Sequence, residues 1–289
     1  MSGEENKDLV RWEIEDKAGR IAGFLENTVL RALEHNLWEL WSWFGRGPGC
    51  ALHDEGDALW FDTPIPTLPY NGVLRFAVTS AVDRRIDSII EHYQRRRVAF
   101  LWVVHPSSLP SDLGERLHKR GLAEVEVCSG MAVNLADLPE PPSAPEGFEI
   151  HEVDDEMATN RLIEFAAWRW HVPAEAQPHL SAYNQVLCIG TPSAKIRCWM
   201  AWHEGVPVSK VVLHCAAGAA GIYAVATKPE ARGQGLASIL TLEALRTARQ
   251  AWYQLGVLHS TPMAQKLYTA LGFHDVAPFR LFASETIHL

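Results

Sequence analysis

GIYAVATKPEARGQGLASILTLEALRTAR (Gly221–Arg249) opens as a strand, turns at a proline and closes as a helix. The strand ends near Thr227, and Pro229 prevents it from continuing. Arg232-Gly233-Gln234-Gly235-Leu236-Ala237 then runs straight into an apolar periodicity at positions 236, 239, 240, 242 and 245, one face of a helix from about Gly235 to Trp252. Two glycines let the backbone come close to a ligand. At the helix start, N–H groups without an intrahelical acceptor meet the positive end of the helix dipole, which favours a phosphate. Arg232 adds charge-assisted bonds. The segment therefore reads as a pyrophosphate cradle. It has neither the G-x-G-x-x-G spacing of a dinucleotide fold nor the G-K-[ST] of a P-loop.

Around this segment, strands and helices alternate. FEIHEV (Phe148–Val153) alternates apolar and polar residues as a half-buried strand does. Asp154 or Asp155 can cap a helix that runs to Trp170, and Pro173 breaks it before a second helix over Ala174–Val186. Three strands come next, between Lys195 and Thr227, turning at His203-Glu204-Gly205 and around Ala216–Gly221. After the cradle helix come a short apolar strand (Leu255–His259), a helix (Pro262–Leu271) and a strand (Asp275–Ala283). The expected order is β-α-α-β-β-β-α-β-α-β. Thr261 reads as the cap of the last helix and Pro262 as its first residue.

Two blocks resemble the GNAT superfamily of acyl-CoA-dependent N-acyltransferases. Arg232, Gly235 and Ala237 fit its [QR]-x-x-G-x-[GA] acetyl-CoA motif, preceded by V-A-T-x-P-E-A-R. LHSTPMAQKLYTALGF (Leu258–Phe273) resembles the family's S-P-x…Y-x-x-L-G-F segment, with Thr261 where some members carry asparagine. The resemblance covers residues 147–289. It implies an α/β (α+β) GNAT fold, a mixed, mostly antiparallel sheet flanked by helices. It further implies acetyl-CoA as co-substrate, held by Val225, Ala226, Thr227, Arg232, Gly233, Gln234, Gly235, Leu236, Ala237, Ser238 and Thr261. Tyr268 takes the place of the tyrosine that gives a proton to the departing CoA thiolate. The acceptor pocket should involve Trp170, His171 and Tyr223. The base is open between Tyr223, His259, Glu164, His171 and a water chain. The implied reaction is acetyl transfer to the amine of a small molecule. The alternatives are a non-catalytic acyl-CoA binder and a GNAT fold with another acyl donor or acceptor, a protein substrate among them.

The stretch Leu135–Gly147 carries Pro139, Pro141, Pro142 and Pro145 and reads as an extended linker. It divides the chain into residues 1–137, a linker at 138–146, and 147–289. The first part ends as the second does. SDLGERLHKRGL (Ser111–Leu122) is an amphipathic helix closed by Gly121, after the buried-strand pattern Val98–Pro106 and before one or two strands in EVEVCSGMAVNL. Aligning Gly121 with Gly272 sets Leu122 against Phe273 and Leu117 against Tyr268. The segments Leu68–Phe76, His105–Leu122 and Ser129–Leu135 resemble the N-terminal halves of two-lobed bacterial GNAT proteins. This implies a second, degenerate GNAT-like lobe that has no cradle and walls the acceptor site. The Trp-rich Asn36–Phe44 is expected in the core, at the lobe interface or in an acceptor-facing wall.

Composition narrows the rest. The chain has 289 residues and a formal charge of −9, which argues against a nucleic-acid partner. Arg95, Arg96 and Arg97 form the one basic cluster and read as a solvated helix end. Five cysteines show no C-x-x-C pair or Cys/His metal spacing, so they read as buried free thiols, and no metal is expected. No run is long and apolar enough for a membrane span. The charged MSGEENKDLVRWEIED at the N-terminus lacks an apolar core, which points to the cytoplasm. The expected partners are a small-molecule amine and, as one option, a second copy of the chain.

Overall fold

The computed structural model describes residues 23–284, so the charged N-terminal stretch that bears on targeting lies outside the described residues. Eleven strands form one sheet in the order β1-β2-β3-β4-β11-β5-β10-β9-β8-β7-β6. The first half contributes α1 (Glu26–Ser42), β1 (Ala51–Asp54), β2 (Ala58–Asp62), β3 (Gly72–Phe76), α2 (Val82–Arg96), β4 (Leu101–Val104), α3 (Leu113–His118) and β5 (Ala123–Asn134). The second contributes β6 (Phe148–Glu152), α4 (Glu156–Arg169), α5 (Gln177–Leu187), β7 (Arg197–His203), β8 (Val206–Ala216), β9 (Ala219–Thr227), α6 (Leu236–Gln250), β10 (Leu255–Ser260), α7 (Gln265–Ala270) and β11 (His274–Ala283). All but two neighbouring pairs are antiparallel. The exceptions are β3 with β4 and β9 with β10. The order of elements in the second half is the one its sequence pattern predicts. No helix among the described residues is long and apolar enough to cross a membrane.

The two halves repeat one topology and exchange their last strands. Each has a parallel strand pair joined by a helix, β3-α2-β4 and β9-α6-β10, then a short helix and a long strand. The last strand of the first half, β5, pairs with β10 of the second, and β11 returns to pair with β4 of the first. In the middle β5 and β11 pair with each other, from His274↔Ala132 to Ala283↔Ala123. Shifting these numbers by the 151 residues between Gly121 and Gly272 maps one end of the ladder onto the other, so the repeat read in the sequence is an approximate two-fold axis through the β5–β11 pair. The helix ends match as well. The N–H of Leu122 bonds to the carbonyl of Leu117, and that of Phe273 to Tyr268. Gly121 and Gly272 take φ of 85° and 96°, the left-handed turn that lets each helix stop and its strand begin. Leu117 and Tyr268 are both buried at equivalent places.

Several element ends differ from the sequence expectation. α3 is limited to Leu113–His118 and β4 to Leu101–Val104, both shorter than the patterns suggest. EVEVCSGMAVN (124–134) lies in a single strand, and Leu135 opens a short 3-10 turn. The last helix begins at Gln265, not Pro262, because Pro262 to Ala264 form a turn in which the Thr261 carbonyl accepts from the N–H groups of Ala264 and Gln265. Thr261 thus caps with its backbone, and its hydroxyl does not act as an N-cap. Asp155 is the cap of α4, its carboxylate accepting from Ala158 N–H at 2.7 Å. The cysteines are free, but only Cys128 and Cys198 are buried; Cys50, Cys188 and Cys215 are half-buried.

Helix α1 locks the halves together. Asn36 is fully buried, and its side-chain N–H₂ donates to the carbonyls of His214, Ala216 and Ala219 around the β8–β9 turn, at 3.3, 2.8 and 3.1 Å. Its oxygen accepts the Tyr223 hydroxyl at 2.8 Å. Asn36→Leu keeps the size and leaves a buried phenol and three carbonyls short of a partner. A loss on the order of 3 kcal/mol is expected, at the upper end for stranded buried polar groups, and urea unfolding of the full chain measures it. The Trp-rich stretch serves both core and wall: Trp38 is buried, while Trp41 and Phe44 border an internal cavity.

Candidate active site

Strands β9 and β10 run parallel and paired only from Leu255↔Ala219 to Leu258↔Ile222, and beyond that they part. A bulge drives the separation. Ala224 sits at φ 49°, where the β8–β9 register shifts between Lys210 and Val212. Residues Tyr223 to Thr227 therefore present one backbone edge with no strand beside it. His259, Ser260 and Thr261 face it across the gap. The gap opens into a cavity of about 330 Å³, mostly apolar, roofed by α4, α5 and α1.

The cradle lies where β9 runs out. Gly233 and Gly235 take φ of 80° and 75°, and a side chain on either would meet nothing within 4 Å, so the space beside them is open. Among the described residues no N–H from Gly233 to Ser238 meets a backbone acceptor; the first helical bond of α6 is Ile239 N–H to Gly235 O at 3.1 Å. A row of free donors at a helix start is the arrangement that binds a phosphate. The equivalent loop of the first half, from Phe76 to Val82, is short and carries no glycine, so no such cradle repeats there.

Three cations gather beside it. Arg232 donates from Nε to the Thr227 carbonyl at 3.3 Å. Arg169, at the end of α4, lies over the Trp170 ring at 4.3 Å; burial lowers its pKa, and the nearby Arg232 adds to that. Lys210 on β8 is 4% exposed, and burial pushes its pKa down to about 8. Among the described residues none of the three meets a carboxylate. Lys210 is buried and Arg169 half-buried, and both line the cavity, whereas Arg232 is exposed outside it; an unpaired buried cation such as Lys210 is costly unless a ligand supplies the anion. No local sequence pattern singles out Arg169 or Lys210. Only burial and register reveal them: Lys210 pairs with Ala226 on β9.

The residues expected to act on the reacting atoms differ in their surroundings. Tyr268 borders the cavity, is 5% exposed and makes no hydrogen bond through its hydroxyl among the described residues. Burial raises its pKa, so it is a protonated phenol at neutral pH. Val225, Ala226, Thr261, Trp170 and Tyr223 border the same cavity. His171 is exposed and does not. The four side chains open as bases separate clearly. Glu164 pairs with Arg161 at the surface, His171 is outside the lining, and the Tyr223 hydroxyl is spent on Asn36. His259 borders the cavity with neither ring nitrogen partnered among the described residues, and burial drives its pKa down to about 3, with His105 adding to that, so its imidazole is neutral and weakly basic.

Comparison with known proteins agrees with this architecture. Residues 194–275 match the family model of the acetyltransferase (GNAT) domain. The fold is similar to a GCN5-related N-acetyltransferase from Kribbella flavida, at 18% identity and a TM-score of 0.64, covering 89% of this chain and 97% of that one. It is also similar to a GCN5-related N-acetyltransferase from Sphaerobacter thermophilus, at 16% identity and 0.59 over 82% and 84%. A third is a tandem GNAT protein from the clavulanic acid biosynthesis pathway, solved without AcCoA, at 15% identity and 0.55 over 91% and 95%. No curated protein matches the chain by sequence. Residues 194–275 are thus similar to a GNAT acetyltransferase domain, and the fold around them is shared with these three structures over 82% to 91% of the chain.

Proposed function

We propose that this protein transfers an acetyl group from acetyl-CoA to the amine of a small molecule. One observation carries the reading: the gap between β9 and β10 opens into a mostly apolar cavity bordered by Val225, Ala226 and the unpartnered Tyr268 hydroxyl, and β9 runs from it to the glycine loop at the start of α6. The diphosphate of CoA rests on the N–H groups of Gly233 to Ser238, helped by Arg232, Arg169 and Lys210. The pantetheine arm runs along the free edge of Val225, Ala226 and Thr227, as a strand would.

The acceptor enters the cavity beneath α4 and α5, against Trp170 and Tyr223. Its ammonium must first lose a proton. Water in the gap takes that proton, because the His259 imidazole, driven by burial to a pKa of about 3, is too weak a base to hold it. The amine attacks the thioester carbon, a C–N bond forms, and the C–S bond breaks as the tetrahedral centre collapses. Tyr268 gives its proton to the departing thiolate and is reprotonated from solvent. A roof built partly by α1 of the first half favours a compact acceptor over an extended peptide. Thiol release from acetyl-CoA on a panel of small primary amines tests the proposal. Acceptor-dependent release supports it; tight acetyl-CoA binding without release on any amine assigns the fold to acyl-CoA binding alone.

Lys210 gives a prediction with a sign. Its folded pKa of about 8 lies below the ordinary 10.5. Below pH 8 the folded chain carries a buried charge that the unfolded chain keeps in water, so the lysine costs stability there. The cost fades as pH rises from about 8 to about 10.5, where the unfolded state binds the extra proton. Lys210→Met should raise unfolding stability by about 3 kcal/mol at pH 7, lose that gain near pH 10.5, and weaken acetyl-CoA binding. Denaturant curves at the two pH values check the first part, and calorimetry the second.

A further inference from the structure

The first half holds a cluster that the proposed reaction does not use. Asp62 ends β2 with its side chain 3% exposed. The Nε2 atoms of His53, on β1, and His92, on α2, approach the same carboxylate oxygen, Oδ2, at 3.1 and 3.0 Å. The three atoms all lie within 4.8 Å of one another. The other oxygen, Oδ1, faces the Arg96 guanidinium at 3.0 Å, which fixes the plane of the carboxylate. His53 lies flat on Trp60, ring centroids 3.5 Å apart, and His92 meets the same indole edge-on at 4.8 Å. Both imidazoles are thus held by packing with Nε2 turned inward. Both remain about a quarter exposed, at 29% and 27%, so solvent reaches the point where they converge.

The geometry points to a binding site for a divalent transition-metal ion of the zinc type, with His53, His92 and Asp62 as ligands and water at the open position. Two imidazole nitrogens and one carboxylate oxygen suit zinc, cobalt or nickel better than magnesium or calcium, which prefer all-oxygen shells. With metal–ligand distances near 2.1 Å, ligand atoms of a tetrahedral zinc sit about 3.4 Å apart. The two histidine–aspartate separations need to open by only a few tenths of an ångström. Arg96 supplies the outer contact that holds a ligating carboxylate in place. The ligands come from three elements, so the ion ties the edge strand β1 and the helix α2 to β2. His53 and His92 lie 9 and 30 residues from Asp62 and follow no zinc-binding motif, which is why the chain shows no metal spacing.

The test uses the untagged full chain, stripped of metal by chelator, titrated with Zn²⁺ alone and with Co²⁺ alone. One equivalent should bind per chain, Co²⁺ should develop the visible absorption of a low-coordinate site, and Zn²⁺ should bleach it. The thermal midpoint should rise with free Zn²⁺, since the ion binds only the folded chain. His53→Gln and His92→Gln, at partly exposed positions, should keep the fold by circular dichroism. Each should weaken binding by about 100-fold or more, and His151→Gln, a surface control, should not. No saturable binding below about 100 µM (a weak −5.5 kcal/mol), or binding unchanged in the His53/His92 double variant, overturns the proposal and leaves the cluster as hydrogen bonds alone.

Discussion

Tyr268→Phe should slow acetyl transfer by roughly 10²–10⁴-fold, the usual worth of a positioned general acid, which is about 3–5 kcal/mol of barrier. The change removes one hydroxyl. The ring stays edge-on to Phe273 at 5.9 Å, and the backbone bonds of the helix end do not involve the phenol. The hydroxyl has no protein partner to lose among the described residues, so stability and acetyl-CoA affinity should hold. Its absence matters only as the C–S bond breaks. The defect should therefore shrink for an acyl donor whose thiol is more acidic, because that thiolate leaves without help. Single-turnover rates with two donors of different thiol acidity measure it. A uniform loss across donors, accompanied by lower thermal stability, would make Tyr268 a packing residue, as its counterpart Leu117 is in the first half.

Gly235→Glu should cost acetyl-CoA at least about 100-fold in affinity, or ~2.7 kcal/mol. Gly235 sits at φ 75° at the start of α6, beside open space. A carboxylate there fills the position of the diphosphate and opposes it by charge. Part of any effect comes from backbone strain, since a residue with a Cβ resists positive φ. Gly235→Asn supplies the control, because asparagine tolerates the left-handed region and adds no charge. The asparagine variant should bind within a few-fold of the parent, and the glutamate variant should not. Calorimetric titration of each checks this. Equal binding by the glutamate variant and the parent would move the cofactor away from the cradle.

How much a sequence discloses depends on how far each signal reaches along the chain. The cradle is local: two glycines, an arginine and a helical period stand within a few residues, and in the structure Gly233 and Gly235 both take positive φ. Tyr268 and Gly272 are local as well, and so is the matching of Gly121 with Gly272. The strand exchange is not. That β11 pairs with β4 and β5 depends on the approximate two-fold axis between halves, and no short pattern in Asp275–Ala283 says which neighbour it will find. Arg169 and Lys210 come to the cavity from α4 and β8, and Asn36 reaches Tyr223 from far along the chain. The four base candidates separate only once their surroundings are known: Glu164 pairs with Arg161, Tyr223 with Asn36, His171 is exposed, and burial leaves His259 weakly basic. The sequence pattern starts the last helix too early because Thr261 and Pro262 mimic a cap, while the backbone spends three residues in a turn before Gln265.

A crystal structure of the full chain with acetyl-CoA tests the cradle-and-cavity assignment most directly. One cofactor per chain is expected, its diphosphate on the N–H groups of Gly233 to Ser238, its pantetheine beside Val225 to Thr227, and its sulfur within hydrogen-bonding reach of the Tyr268 hydroxyl. A cofactor bound elsewhere, or one whose sulfur lies beyond reach of Tyr268, would contradict it.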